Sequence, residues 1–244
     1  MNTIGLIGGM SWESTATYYN ELNRAVSHRL GGLHSAKIQL ISLNFAEIAH
    51  LQKQGNWYEA GIILSDAAQK LEQAGVDCVA ICTNTMHKVA DQVQKNISVP
   101  LIHIIDTAAK ALQQKQVRKV ALLGTQFTME HDFYKNKLAE YQIELITPSA
   151  KERVEVHRII FEELCLGRVL PQSKATYLAI IDNMANIGAE AVLLACTEIN
   201  LLIQQDGVSL PVFDTTMLHV EALLDYSLGG NKESLGDNKE VARE

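Results

Sequence analysis

The chain has 244 residues, 47% hydrophobic and 20% charged, an ordinary globular composition that excludes disordered, collagen-like and repeat-fibrous proteins. A net charge of -7 leaves no basic excess to neutralise phosphates, so no nucleic-acid partner is expected. No apolar run approaches the roughly 20 residues of a membrane helix, so no membrane partner is expected either.

The N-terminus, MNTIGLIGGMSWE, lacks the basic region and spacing of a signal peptide and reads as a first strand over 3–7. An amphipathic stretch at 14–29 predicts a helix, 37–43 a strand, and 58–74 a helix that Gly75 stops. Further short runs, mostly β-branched or leucine, lie at 78–81, 101–104, 119–123, 143–146, 191–194 and 212–213, the pattern of strands buried on both faces. Helix patterns at 106–114, 130–141, 152–165, 172–187 and 216–227 alternate with them. Strand–helix alternation of this kind predicts a mostly parallel α/β architecture. The polar, Gly-rich tail from Gly229 reads as a disordered end. Four cysteines (Cys78, Cys82, Cys165, Cys196) without an export signal point to reduced thiols in a cytoplasmic protein.

The chain also repeats itself. GVDCVAICTNTMHKV (75–89) aligns without a gap on GAEAVLLACTEINLL (188–202), pairing Gly75 with Gly188 and Thr83 with Cys196. IGLIGGMS (4–11) parallels VALLGTQF (120–127), and VPLIH (99–103) parallels LPVFD (210–214). Three matches in one order predict two similar parallel-sheet α/β halves, 1–117 and 118–228, related by a pseudo-two-fold, with exchange of segments between halves near the C-terminus. Ligands of open α/β sheets bind beyond the carboxyl ends of the strands. Each repeat puts a small reactive residue there, Thr83 in one and Cys196 in the other, and a pseudo-dyad would face them across a cleft. One group on each side of a single atom suits a reaction in which a proton leaves one face and arrives on the other.

With these motifs in view, the sequence resembles the aspartate/glutamate racemase family of pyridoxal-phosphate-independent racemases. IGLIGGMSWEST, CTNTMHK (82–88), LLGTQFTM (122–129), ACTEINLL (195–202) and PVFDTTMLH (211–219) carry the resemblance over all but the tail. It implies a cofactor-independent enzyme acting on a small amino-acid substrate, and a homodimer. In most relatives both strand-end positions are cysteines, serving as thiolate base and thiol acid on opposite faces of Cα. Here Thr83 precedes Asn84-Thr85, and the nearby cysteine is Cys82. Side chains alternate along a strand, so the two residues point to opposite faces. If the Asn-Thr anchor and the ungapped repeat hold, Thr83 faces the cleft; if the turn slips by one residue, Cys82 does. A Thr/Cys pair is similar to a subgroup that acts mainly on L-enantiomers. In such a pair Cys196, with a reference pKa near 8.5 that a helix N-terminus lowers further, is the expected base, and Thr83 delivers the proton.

Supporting groups follow from the same motifs. Backbone N–H groups of the turn Gly8-Gly9-Met10-Ser11 can hold a carboxylate or can simply close a strand-to-helix turn. Asn84, Thr85, Thr197 and Glu198 follow the two reactive positions, as binders of the substrate carboxylate and ammonium. Thr125 and Thr128 either line the cleft or cap the next helix. His87 is expected in the core, and Asp214 and His219 resemble family positions near the second half-site. Aspartate-specific relatives hold the distal carboxylate with an arginine and a lysine; those positions fall on Gln52 and Cys165, with Lys53 and Arg168 only close in sequence. The pocket is therefore acidic-specific, neutral or broad. No paired CxxC or HxxxH suggests a metal. A cysteine-dependent decarboxylase or cis–trans isomerase on the same scaffold and a non-catalytic amino-acid binder are the rival readings.

Overall fold

A computed structural model describes residues 1–229; the tail expected to be disordered lies, from residue 230, outside them. The apolar runs of each repeat become central strands with no exposed residue. In the first half β1 (Ile4–Gly8) lies between β2 (Ile38–Ser42) and β3 (Cys78–Ile81), all parallel, in the order β2-β1-β3. In the second, β4 (Lys119–Gly124), β5 (Glu144–Ile146), β6 (Ala191–Ala195) and β7 (Val212–Asp214) form a parallel sheet in the order β5-β4-β6-β7. The three repeated segments occupy equivalent places. β1 matches β4, β3 matches β6, and the pair to β7 survives as one parallel bridge between Val79 and Leu101. Chain reversal before β3 and β6 uses the same device. Gly75 (φ 82°) and Gly188 (φ 96°) both take the left-handed conformation that a side chain disfavours.

Helices α1 (Trp12–Leu30), α2 (Phe45–Gln54), α3 (Trp57–Gln73) and α4 (Ala90–Gln94) surround the first sheet; α5 (Ile104–Gln114), α6 (Gln126–Glu130), α7 (Asp132–Glu140), α8 (Ala150–Glu162), α9 (Pro171–Asn186) and α10 (Thr215–Ser227) follow. Two of them cross over. α5 packs Ile104, Ile105, Ala108 and Leu112 under the second sheet with Val120, Leu122 and Leu193. α10, the last helix among the described residues, sends Val220 and Leu223 to the first, against Ile4, Leu6, Tyr18 and Leu22. Fully buried Leu and Ile side chains of this kind each contribute about 1.5–3 kcal/mol.

Three expectations need correction. Residues 101–104 are not a strand: after Leu101, the His103 ring accepts the Ile105 N–H and caps α5, which starts at Ile104. The expected helix 130–141 is α7 and starts only at Asp132, because His131 is extended (φ -86°, ψ 144°) and separates it from the short, unexpected α6. α2 was missed, although Asn44 caps it through the Ala46 N–H and Gly55 (φ 72°) ends it.

Candidate active site

The ends of β3 and β6 meet at one cavity. Its wall includes Met10, Gln52, Thr83, Asn84, Thr85, Thr125, Cys165, Cys196, Thr197 and Glu198, ten residues singled out from the sequence, contributed by both halves. Ser11, of the glycine turn, joins them, and Ser14, Phe45, Phe127, Ile160, Phe161, Ala195 and Thr216, which carry no sequence signal, complete the wall. Lys53 and Arg168 are exposed and absent from the wall, and among the described residues Glu198 is the one charged side chain lining it.

Strand alternation sorts the two neighbours at the first turn. Cys82 is buried in the core with Ile4, Leu6, Tyr18 and Leu22, and burial raises its thiol pKa strongly. Thr83, next in the chain, lines the cavity. Its backbone carbonyl is held from behind: the His87 ring meets Thr83 O through Nδ1 at 2.8 Å, and its Nε2 accepts the Ile104 N–H at 3.2 Å. A ring that must accept at Nε2 carries its proton at Nδ1, so His87 is neutral.

His87 is the centre of a buried cluster. Its ring lies 4.6 Å from His103 and 5.8 Å from His219. His219 Nδ1 meets the Tyr18 hydroxyl at 2.8 Å and its Nε2 meets Ile102 O at 2.7 Å, away from the cavity. Burial, reinforced by the neighbouring histidines, depresses the pKa of His87 strongly; burial brings those of His103 and His219 down to about 3. Unfolded histidines titrate near 6.5, so between there and the folded values the unfolded chain binds more protons. Stability is therefore intact above pH 6.5 and falls as the pH drops, by about 1.4 kcal/mol per unit for each histidine. Thermal melts from pH 7.5 to 4.5 should show Tm dropping steeply below pH 6.5; a flat profile would mean the cluster takes up protons while folded.

At the second turn the thiol is not activated in the manner expected. Cys196 is followed only by a five-residue 3-10 turn, Thr197–Leu201, not an α-helix with its dipole. Burial, then the Glu198 carboxylate, hold the thiol pKa well above its ordinary value. Sγ donates to Glu198 Oε2 at 2.9 Å, the same oxygen that accepts the Thr197 hydroxyl at 2.8 Å, while Ser11 Oγ donates to Oε1 at 3.4 Å. In this state Cys196 is a protonated thiol with a proton acceptor beside it.

The remaining groups divide by what they touch. Thr85, Thr125 and Thr128 form a hydroxyl triangle with edges of 3.0–3.2 Å, and Thr125 also caps α6. Gln52 Nε2 reaches only the Met86 sulfur, at 3.0 Å. Cys165 is an exposed residue of the 3-10 turn Leu164–Leu166, its thiol pushed up to about 12 by partial loss of water at the cavity wall and then by Glu198 and Glu13. In the glycine turn, the Gly9 N–H is already bonded to Thr15 Oγ1 at 2.8 Å, which removes it as a carboxylate donor. Gly9 (φ 85°) is required there, since a Cβ would fall on the backbone of Leu43. Asp214 caps α10 through the Thr216 and Met217 N–H groups, outside the cavity wall. Among the described residues no group of three or more His, Cys, Asp or Glu is placed to hold a metal ion, and no helix is long and apolar enough to cross a membrane.

Residues 7–223 match the family of Asp/Glu/Hydantoin racemases. The chain belongs to that family. A crystal structure of a candidate Asp/Glu racemase from Yersinia pestis is 47% identical, with a TM-score of 0.89 over 93% of this chain and 100% of that one. An aspartate racemase homologue from Pyrococcus horikoshii OT3 is 37% identical, with a TM-score of 0.82 over the same shares. The broad specificity amino-acid racemase RacX of Bacillus subtilis (strain 168) is 25% identical over 151 residues; the match spans 62% of this chain and 65% of RacX, under two thirds of that relative's length. In this family member the cavity thus joins the two repeated turns on which the resemblance rests.

Proposed function

We propose that the chain is a cofactor-independent racemase that inverts Cα of a free amino acid, with Cys196 and Thr83 as acid/base groups on opposite faces. The observation that carries this is that the matched ends of β3 and β6 supply these two residues to one cavity. Deprotonation begins at the thiol: Glu198 takes the Sγ proton across their hydrogen bond, and the thiolate removes the Cα proton. The electron pair left on carbon moves into the carboxylate as an enolate, within reach of hydroxyl and amide donors from Thr85, Thr125 and Asn84. Thr83 then gives its hydroxyl proton to the other face and recovers one from water, and the hydroxide so formed takes the proton held by Glu198, while Sγ keeps the proton taken from Cα. A threonine alkoxide is costly, so the direction that needs Thr83 as base is slower at saturation; its enantiomer must bind correspondingly tighter, because the equilibrium is fixed.

The cavity wall also bears on the side chain accepted. A distal carboxylate needs a cationic partner when desolvated, and among the described residues no Lys or Arg lines the wall. Phe45, Phe127, Ile160 and Phe161 offer apolar surface. Uncharged side chains are thus favoured over aspartate and glutamate, in keeping with the broad specificity named for RacX. The homodimer implied by the resemblance and the cytoplasmic location expected from the cysteines belong to this proposal.

The test is incubation with single L-amino acids in heavy water, following Cα deuteration and enantiomer ratio together. Growth of the D-form with deuterium at Cα is expected, fastest for uncharged side chains. Faster turnover of aspartate would overturn the preference. A decarboxylase is the second reading, favoured by the single thiol at the strand ends; release of carbon dioxide without inversion would select it.

A further inference from the structure

Asn84 lies in the turn that carries Thr83, buried at the cavity wall. Both ends of its amide are bonded. Tyr134 Oη donates to Oδ1 at 2.6 Å, Nδ2 donates to Thr215 Oγ1 at 3.0 Å, and Thr215 Oγ1 donates to the backbone carbonyl of Leu194 at 2.9 Å. Tyr134 and Thr215 are fully buried and stand behind the wall, not in it. They belong to α7 and α10, whereas Asn84 follows β3, so the chain of bonds runs from one half to the other and ends on β6, two residues before Cys196.

The polarity of this chain is decided at its far end. A carbonyl has no hydrogen to give, so the single hydroxyl hydrogen of Thr215 goes to Leu194 O. Thr215 then offers Asn84 only lone pairs, and the amide must turn its NH2 toward Thr215 and its oxygen toward Tyr134. Tyr134, kept protonated by its burial, closes the chain as a donor. Thr215 takes one of the two Nδ2 hydrogens, and no bond among the described residues takes the second. The amide oxygen, by contrast, is occupied.

We propose that Tyr134 and Thr215 are positioning residues that lock Asn84 as a hydrogen-bond donor toward the cavity, and so set its affinity for the carboxylate of the ligand. An amide released from this lock can flip and present its oxygen instead, a change with almost no effect on shape and an opposite electrostatic sign. The carboxylate as ligand group rests on the amino-acid reading above; the lock itself rests on the hydrogen bonds.

The experiment separates the two. L-leucine, L-methionine and L-glutamate, with the α-carboxamide of each, are titrated calorimetrically into full-length Cys196→Ser protein, and KM and kcat are measured with Cys196 intact. For the tightest-binding acid, Tyr134→Phe and Thr215→Val should each weaken binding about tenfold, the effect of one hydrogen bond to a charged group. Binding of its carboxamide should change less than about twofold. The double variant should lose little more than either single one, since one lock is broken in each case. Thr215→Ser, which keeps the hydroxyl, should recover most of the affinity lost in Thr215→Val. Unchanged affinity for the acid, or equal losses for acid and carboxamide, would overturn the lock. If Tyr134→Phe does not fold, Thr215→Val carries the same test. Carboxylate-selective losses in a protein that racemises nothing would uphold the lock and overturn the racemase reading, whereas no binding of any probe would overturn both.

Discussion

On the proposed mechanism, Cys196→Ser is expected to lower racemisation of the substrate amino acid by about three orders of magnitude, within the range for loss of a general acid/base group, while the fold is retained. The exchange swaps sulfur for oxygen at a buried site directly after β6, in the core that also holds Ile199, with no change in hydrogen-bond count: a hydroxyl can still donate to Glu198. What changes is acidity. A thiol whose pKa is already held high by burial and by the adjacent carboxylate is marginal as a source of base, and a serine hydroxyl in the same place is several units worse. Release of Cα hydrogen into heavy water and growth of the second enantiomer should therefore fall together, with an unchanged Tm. Retention of either rate above about a tenth of wild type would show that another group removes the proton.

Thr83→Val has the complementary signature. Valine keeps the β-branched shape and removes the hydroxyl, so the turn held by His87 is preserved. On the proposed mechanism Cys196 should still remove and return the proton on its own face, so Cα exchange with solvent should continue with retention of configuration. Inversion, which needs a donor on the other face, should drop by about a hundredfold or more. Deuterium incorporation read by NMR against enantiomer ratio read by chiral chromatography gives the ratio of exchange to inversion directly. Inversion at the wild-type rate in Thr83→Val would remove Thr83 from the mechanism. Cys82 could not replace it without repacking, because its side chain is enclosed by Leu6, Tyr18 and Leu22.

Much of this was legible in the chain before any coordinates, and the part that was not has a common cause. The internal repeat located β1, β3, β4 and β6 and their reactive ends, because fully buried parallel strands need unbroken apolar runs and the turns after them need particular residues. Gly75 and Gly188 repeat for the same reason. Gln52 and Cys165 came from the resemblance alone; nothing in their own neighbourhoods marks them. α2 was overlooked because its apolar positions are sparse, yet Asn44, Glu47 and Gly55 spelled its start and stop. The thiol–carboxylate bond of Cys196 and Glu198, the histidine behind Thr83 and the Tyr134–Asn84–Thr215 lock were not legible. They depend on side-chain orientation, and in the lock on partners 50 and 131 residues apart, a range over which local pattern carries no information.

The two helices that cross between the sheets make the halves inseparable. α5 comes before the second sheet in the chain but is a wall of that sheet's core, and α10 follows the second sheet but seals the first. A break at the boundary between the repeats would hand the first fragment a helix with nothing beneath it, and the second fragment a helix that had lost the surface it covers. The duplication seen in the sequence is therefore not a pair of modules that could be exchanged or expressed apart. Each repeat is finished by the other, so the molecule should melt as one cooperative unit. Opening the cleft means twisting two interlocked bodies about a double crossing, not swinging them on a single strand.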